Sequence, residues 1–228
     1  MNTSKTKIHQ INLYDIPMNK GGLRKFMSRV FQLVEQNTGA FRGVPAPLDL
    51  FHDKSHHYSG IQFGIVDGAV SIRAYGKTEI KALKIWWQLY RKQYAFKPEN
   101  VQVIQEKYRL GFLPQPQTYR LNDFLVNKNK QKELNEIEDD ETKKNILSEY
   151  IVANFFPFFN HLNYRHNRKE QEIVARVLRY KRQNKPQGTF RDYKRQAYDI
   201  VFETNLRLPH LFRMGEATAL GYGNVNYQ

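Results

Sequence analysis

Two β-rich runs meet at Asp67-Gly68 in "IQFGIVDGAVSIRAY" (61–75), and this dipeptide constrains the fold more than any other feature. A two-residue connection between antiparallel strands needs positive φ at both positions, which aspartate followed by glycine supplies with little strain, so the stretch reads as a β-hairpin. Before it, "GGLRKFMSRVFQLVEQN" sets Leu23, Phe26, Met27, Val30, Leu33 and Val34 at spacings of three and four, which predicts a helix stopped near Gly39. After it, "TEIKALKIWWQLYRKQY" repeats the pattern with Ile80, Leu83, Trp86 or Trp87, and Tyr90, so the tryptophans read as core. Further out, "KIHQINLY" (7–14) aligns His9, Ile11 and Leu13 on one strand face, and "VQVIQEKYRLGF" (101–112) is a second outer strand. Residues 40–60, with Gly43, Pro45 and Pro47, read as loop.

The resulting order, strand, helix, hairpin, helix, strand, is the β-α-β-β-α-β unit of ferredoxin-like and RNA-recognition folds. "LPQPQ" (113–117) interrupts the pattern and reads as a linker. Beyond it the sequence predicts a strand over 119–126, a helix from Thr142 to about Phe156 that Pro157 ends or kinks, and strands near 171–180, 188–194, 197–206 and 221–226. A second, looser copy of the unit fits these elements. The expected fold is α+β with two tandem ferredoxin-like domains, 1–114 and 115–228. Asp139, Asp140 and Glu141 read as favourable charges at a helix N-terminus, not as metal ligands.

The chain carries a net charge of +14, which points to a polyanionic partner. Residues 163–195 hold eleven Lys or Arg against Glu170, Glu172 and Asp192, with Tyr164, Tyr180, Phe190 and Tyr193 interleaved. A membrane-surface helix sets such charges opposite an apolar stripe. Here "EIVARVLRYKR" alternates Ile173, Ala175 and Val177 as a strand does, so nucleic acid is favoured over a membrane, with a merely solvated basic face as the bland alternative. No apolar run approaches the roughly 20 residues of a membrane span. The chain has no cysteine, which removes disulfides, thiolate nucleophiles and cysteine-bound zinc, and the expected location is the cytoplasm.

No phosphate-binding loop, HExxH or dinucleotide fingerprint is present, so no cofactor and no metal are expected. "DLFHDKSHHYSGIQF" (49–63) instead gathers His52, His56, His57, Lys54 and Tyr58 ahead of the hairpin. As chemistry, histidine near its ordinary pKa can give or take a proton at neutral pH. Cleavage at an RNA 2′-hydroxyl needs only such a base, an acid and a cation. A polar surface loop or a fortuitous metal site are the competing readings. At the other end "GEATALGYG" places Gly215, Gly221 and Gly223 close together, which suits either a backbone approach to phosphate or a tight turn.

In five ordered stretches the chain resembles the CRISPR-associated processing endoribonucleases, the sixth family of Cas proteins, and their subtype I-B branch in particular. These are "FRG" (41–43), "LFHD" (50–53) with "HYSGIQFGIVDGAVSI", "NDFLVNKNKQ", "ILSEYIVANFFPFF" and "FETNLRLPHLFRMGEATALGYGNV". The resemblance implies tandem RNA-recognition-like domains and metal-independent cleavage of CRISPR repeat RNA. It maps the catalytic histidine onto His52, with Tyr58 supporting it, His57 as a rival and Lys54 stabilising charge. It makes the glycine-rich ending the loop that lies against the repeat. Arg42, Lys181, Arg182, Arg191, Lys194, Arg195 and Arg213, together with Gly215, Gly221 and Gly223, form the expected RNA-binding set. Lys54 stands where a second histidine is common, Arg213 where a first glycine is usual, and Ala219-Leu220 where Ser-Arg is common. A homodimer and other Cas effector subunits are the further partners to consider. The rival to an enzyme is a repeat-binding or scaffold subunit that does not cleave.

Overall fold

The computed structural model describes residues 4–17, 20–51, 60–94, 97–164, 172–183, 189–190, 193–209, 212–215 and 222–227. The chain divides into two compact units, one built on Lys5–Tyr108 and the other on Arg109–Thr218 with Tyr222–Gln228.

In the first unit the hairpin forms as Asp67-Gly68 predicts. Strands β2 (Ile61–Val66) and β3 (Ala69–Tyr75) pair antiparallel from Val66 opposite Ala69, and Asp67 and Gly68 take φ of +50° and +77°. Strand β1 (Ser4–Pro17) pairs antiparallel with β3, and the strand order is β2-β3-β1-β4, β4 being Val101–Leu125. This is the ferredoxin-like order. Helices α1 (Lys20–Gln36) and α3 (Lys77–Gln93) bury the stripes read from the sequence. Trp86 is fully buried, edge-on to Phe26 and stacked on Tyr90, while Trp87 is half-buried under Arg91. The segment read as loop also holds a 3-10 turn (Thr38–Phe41) and α2 (Pro47–Phe51). Pro47 opens α2, where no N–H partner is needed, and the burial of Phe51 fixes its end.

β4 corrects the expected linker. The strand runs unbroken through Leu113–Gln117. Its register against the later strand β8 (Ala197–Arg207) slips between Phe112 and Gln117, so Pro114 and Pro116 fall where no ladder N–H is required. In the second unit β4 is followed by α4 (Lys128–Glu136), α5 (Asp140–His161), β5 (Ala175–Arg182), the small hairpin β6 (Thr189–Phe190) and β7 (Tyr193–Lys194), β8, β9 (Phe212–Arg213) and β10 (Asn224–Tyr227). The path β5-β8-β4-β10 repeats the strand order of the first unit. Among the described residues, the second crossover carries β9 and glycine turns instead of a helix.

α4 escapes a periodicity reading because only Gln131 and Leu134 of its nine residues are buried; Asn127 caps it through Lys130 N at 2.8 Å. Asp139 caps α5 by accepting from Thr142 N, the role its charge suggested. α5 passes Pro157 without ending there. Pro157 and Ala153, whose carbonyl loses its partner, are both exposed, so water can take that bond.

His9 lies on the strand face of Ile11 and Leu13, which belong to the apolar core of the first unit. It is 3% exposed, and among the described residues its Nδ1 finds no partner. Burial, with the nearby Lys84 charge, holds the imidazole below its ordinary value of 6.5. A depressed folded value means that the unfolded chain binds the proton more readily, so this contribution to stability is present above about pH 6.5 and lost as pH falls. Denaturant titrations at pH 7 and pH 5 should therefore show a larger loss for the wild type than for His9→Phe. Equal losses would show that His9 does not titrate with unfolding.

Candidate functional site

The histidine segment joins two fixed ends. Phe51, at the end of α2, is fully buried against Phe63 and Trp86, and the Gly60 carbonyl accepts from Tyr75 N at 2.9 Å where β2 begins. His52, Lys54, His57 and Tyr58 themselves lie outside the described residues. Arg42 is exposed and follows the 3-10 turn. Its carbonyl and that of Gly43 both accept from Lys81 Nζ at 3.2 Å, which ties the turn to α3.

Among the described residues, the basic side chains of the second unit do not form one cluster. Side chains alternate across a strand. Lys181 stands opposite Asp199, on the sheet face away from the core, whereas Arg182 stands opposite Tyr198 on the other face; both are exposed. Arg195 is half-buried and close to Tyr150 of α5, whose hydroxyl burial raises above its ordinary value against the opposing Arg195 field. Arg213 is only 3% exposed on β9. Lys194 lies in β7, and Arg191 and Gly221 fall outside the described residues.

Sequence reasoning passed over Arg120 and Arg179. Both stand opposite Val201 of β8, one on each neighbouring strand, so they share a face with Lys181. Alternation along "TYRLND" and "VLRYKR" was the available signal, but a bulge between Val177 and Arg179 shifts the count by one residue.

The glycine-rich ending closes on a narrow neck. Gly215 (φ +90°) donates its N–H to Asn154 Oδ1 at 3.1 Å, and Met214 N donates to Gly223 O at 2.9 Å. Gly223 (φ +70°) donates in turn to the Asp123 carbonyl at 3.1 Å. A Cβ on Gly223 would sit 1.7 Å from Met214 O, and one on Gly215 would sit 2.6 Å from the Phe124 ring. Both glycines are thus required by the backbone itself, whatever the loop between them touches. Gly223→Ala should lower the melting temperature well beyond Gly68→Ala, which meets strain of about 1 kcal/mol or more at positive φ but open space. Similar shifts for the two would remove the steric account of the neck.

Residues 111–228 match the Cas6b C-terminal domain family. No curated protein matches the chain. Among solved structures, a CRISPR RNA processing endoribonuclease Cas6b shows a TM-score of 0.71 at 16% identity, covering 99% of this chain and all of the other. A second Cas6b structure gives 0.73 at 15% identity with the same coverage. Csf5, a CRISPR-Cas type IV Cas6 crRNA endonuclease, gives 0.56 at 14% over 99% of this chain and 100% of that one. At such identities the structural likeness speaks for the fold alone. The family match rests on sequence, covers more than half of the chain and takes in the glycine-rich ending, and by it the chain belongs to the Cas6b family.

Proposed function

We propose that this protein is a metal-independent endoribonuclease that cuts CRISPR repeat RNA to mature guide RNAs. The family match over residues 111–228 carries the reading, and two of the structurally similar proteins are described as CRISPR RNA processing or crRNA nucleases. The +14 charge supplies the attraction for a polyanion. The reading takes 1–114 as the domain of the catalytic loop and 115–228 as that of the glycine-rich loop, with the junction inside β4.

The chemistry asked of the protein is small. A base takes the proton of the 2′-hydroxyl, and the oxygen attacks the adjacent phosphorus. The bond from phosphorus to the 5′-oxygen breaks, and an acid returns a proton to that oxygen. The products are a 2′,3′-cyclic phosphate and a 5′-hydroxyl. His52 is assigned the general acid or base role, with Tyr58, His57 and Lys54 orienting the strand or steadying the phosphorane charge. The exposed Arg42, Lys181 and Arg182 hold phosphates, as do Arg191, Lys194 and Arg195 in the wider set, while Arg213, buried on β9, supports the neck of the glycine-rich ending from within. Gly215, Gly221 and Gly223 shape the backbone near the strand. Other Cas subunits or a second copy of the chain are candidate partners for the product complex.

His52→Ala should lower cleavage of repeat RNA by about 10²- to 10⁴-fold while leaving repeat binding intact, because the imidazole moves a proton and does not hold the strand. EDTA should not change the rate. A single 2′-deoxy nucleotide 5′ of the scissile phosphate removes the nucleophile and should stop the reaction; continued cutting there would mean that water attacks. Full activity in His52→Ala with loss in His57→Ala or Tyr58→Phe would move the assignment within the loop. Binding without any cleavage by the wild type would favour the scaffold reading.

A further inference from the structure

The strands of the second unit have an exposed face from which the proposed reaction draws only Lys181. Opposite residues of an antiparallel ladder point to the same side. On the side away from buried Leu121, Ile200 and Phe202, one row across four strands reads Arg179, Val201, Arg120 and Asn226. The next row sets Lys181 beside Asp199. A groove of about 340 Å³ opens over these strands, with Arg120, Arg179, Lys181, Asp199 and Val201 in its lining.

The charges in the groove are arranged unlike those around it. One step along the same face, Arg176 is neutralised by Glu203 at 3.0 Å. Arg120, Arg179 and Lys181 form no ion pair or hydrogen bond among the described residues, and all three are exposed. Asp199, the carboxylate in that lining, has its Oδ1 engaged: it accepts from Asp123 N at 3.0 Å and from Gln183 Nε2 at 3.1 Å. Arg120 and Arg179 stand two strands apart, about 10 Å between backbones at ordinary strand spacing, with Val201 between them at 9% exposure. Among these lining residues three cations face one carboxylate, and the excess of positive charge suits an anion. The apolar floor narrows the choice further. A duplex keeps its bases inside and offers phosphates only, whereas a single strand can lay a base on Val201 between two guanidinium planes and its phosphates on either side.

We propose that this groove binds single-stranded RNA, with phosphates on Arg120, Arg179 and Lys181 and a base on Val201. The inference rests on the reading that RNA is the substrate, and adds a holding surface built by β4, β8 and β5 to the loops already discussed. The test is fluorescence anisotropy with a labelled single-stranded oligouridylate and with a blunt RNA duplex of equal length, comparing wild type, Arg120→Gln/Arg179→Gln and Val201→Glu. Circular dichroism melts check that each variant is folded. The double variant should lose about tenfold or more in single-strand affinity, and its slope of log K against log salt should fall by about 1.4, two phosphates' worth. Val201→Glu should weaken the single strand more than the duplex. Unchanged affinity and slope in the folded double variant overturn the groove, and equal losses on strand and duplex overturn the single-strand assignment. Repeat cleavage by the wild type is followed separately on gels: its absence would sink the processing reading and leave the groove result standing.

Discussion

The second unit depends on one backbone irregularity, the bulge at Asp123. Its φ of +54° turns β4 out of register with β8 between Leu121 and Phe124, and this frees three groups for other work. The Asp123 carbonyl accepts from Gly223 N, its N–H donates to Asp199, and its Oδ1 accepts from Gln183 at the end of β5. A regular strand would spend the backbone groups on the ladder and leave the neck of the glycine-rich ending unheld. The same bulge therefore engages Asp199, opposite Lys181 in the groove, and the neck of the glycine-rich ending at once.

Much of the first unit was legible because local signals and burial agree there. Asp67-Gly68 set the hairpin register, and the spacing of Leu23, Phe26, Met27, Val30, Leu33 and Val34 gave α1 with its buried face. The second unit was less legible where tertiary context overrides local signals. Two prolines in "LPQPQ" suggested a break, yet they sit at a register slip where a strand tolerates them. α4 has too few apolar residues to show a period, and α5 continues past Pro157 because the affected turn faces water. Neither exception is visible without knowing which side of the element is covered.

Charge was read as a quantity and became informative only as a pattern. The basic segment 163–195 looks like one patch in the sequence, but strand alternation and the bulge after Val177 sort its members. Arg176 goes to an ion pair, Arg179 and Lys181 to the open groove, Arg182 to the opposite face, and Arg195 toward Tyr150. Arg120 joins the groove from β4, outside the basic segment, so no count along that segment could include it. Such sorting separates cations that balance local carboxylates from those with charge left for a ligand.

Holding a polyanion and moving a proton, the two tasks of the proposed reaction, ask different things of a protein. Phosphate contacts tolerate long, exposed side chains, since charge acts over several ångströms and the strand can adjust; the exposed groove cations fit that demand. Proton transfer requires heavy atoms within about 3 Å, so the residues that perform it must depend on rigid neighbours. In the proposed reaction that demand falls on the histidine segment, and the described residues on either side of it are fixed: Phe51 is buried in the aromatic core, and the Gly60 carbonyl accepts from Tyr75 N beside a buried hairpin.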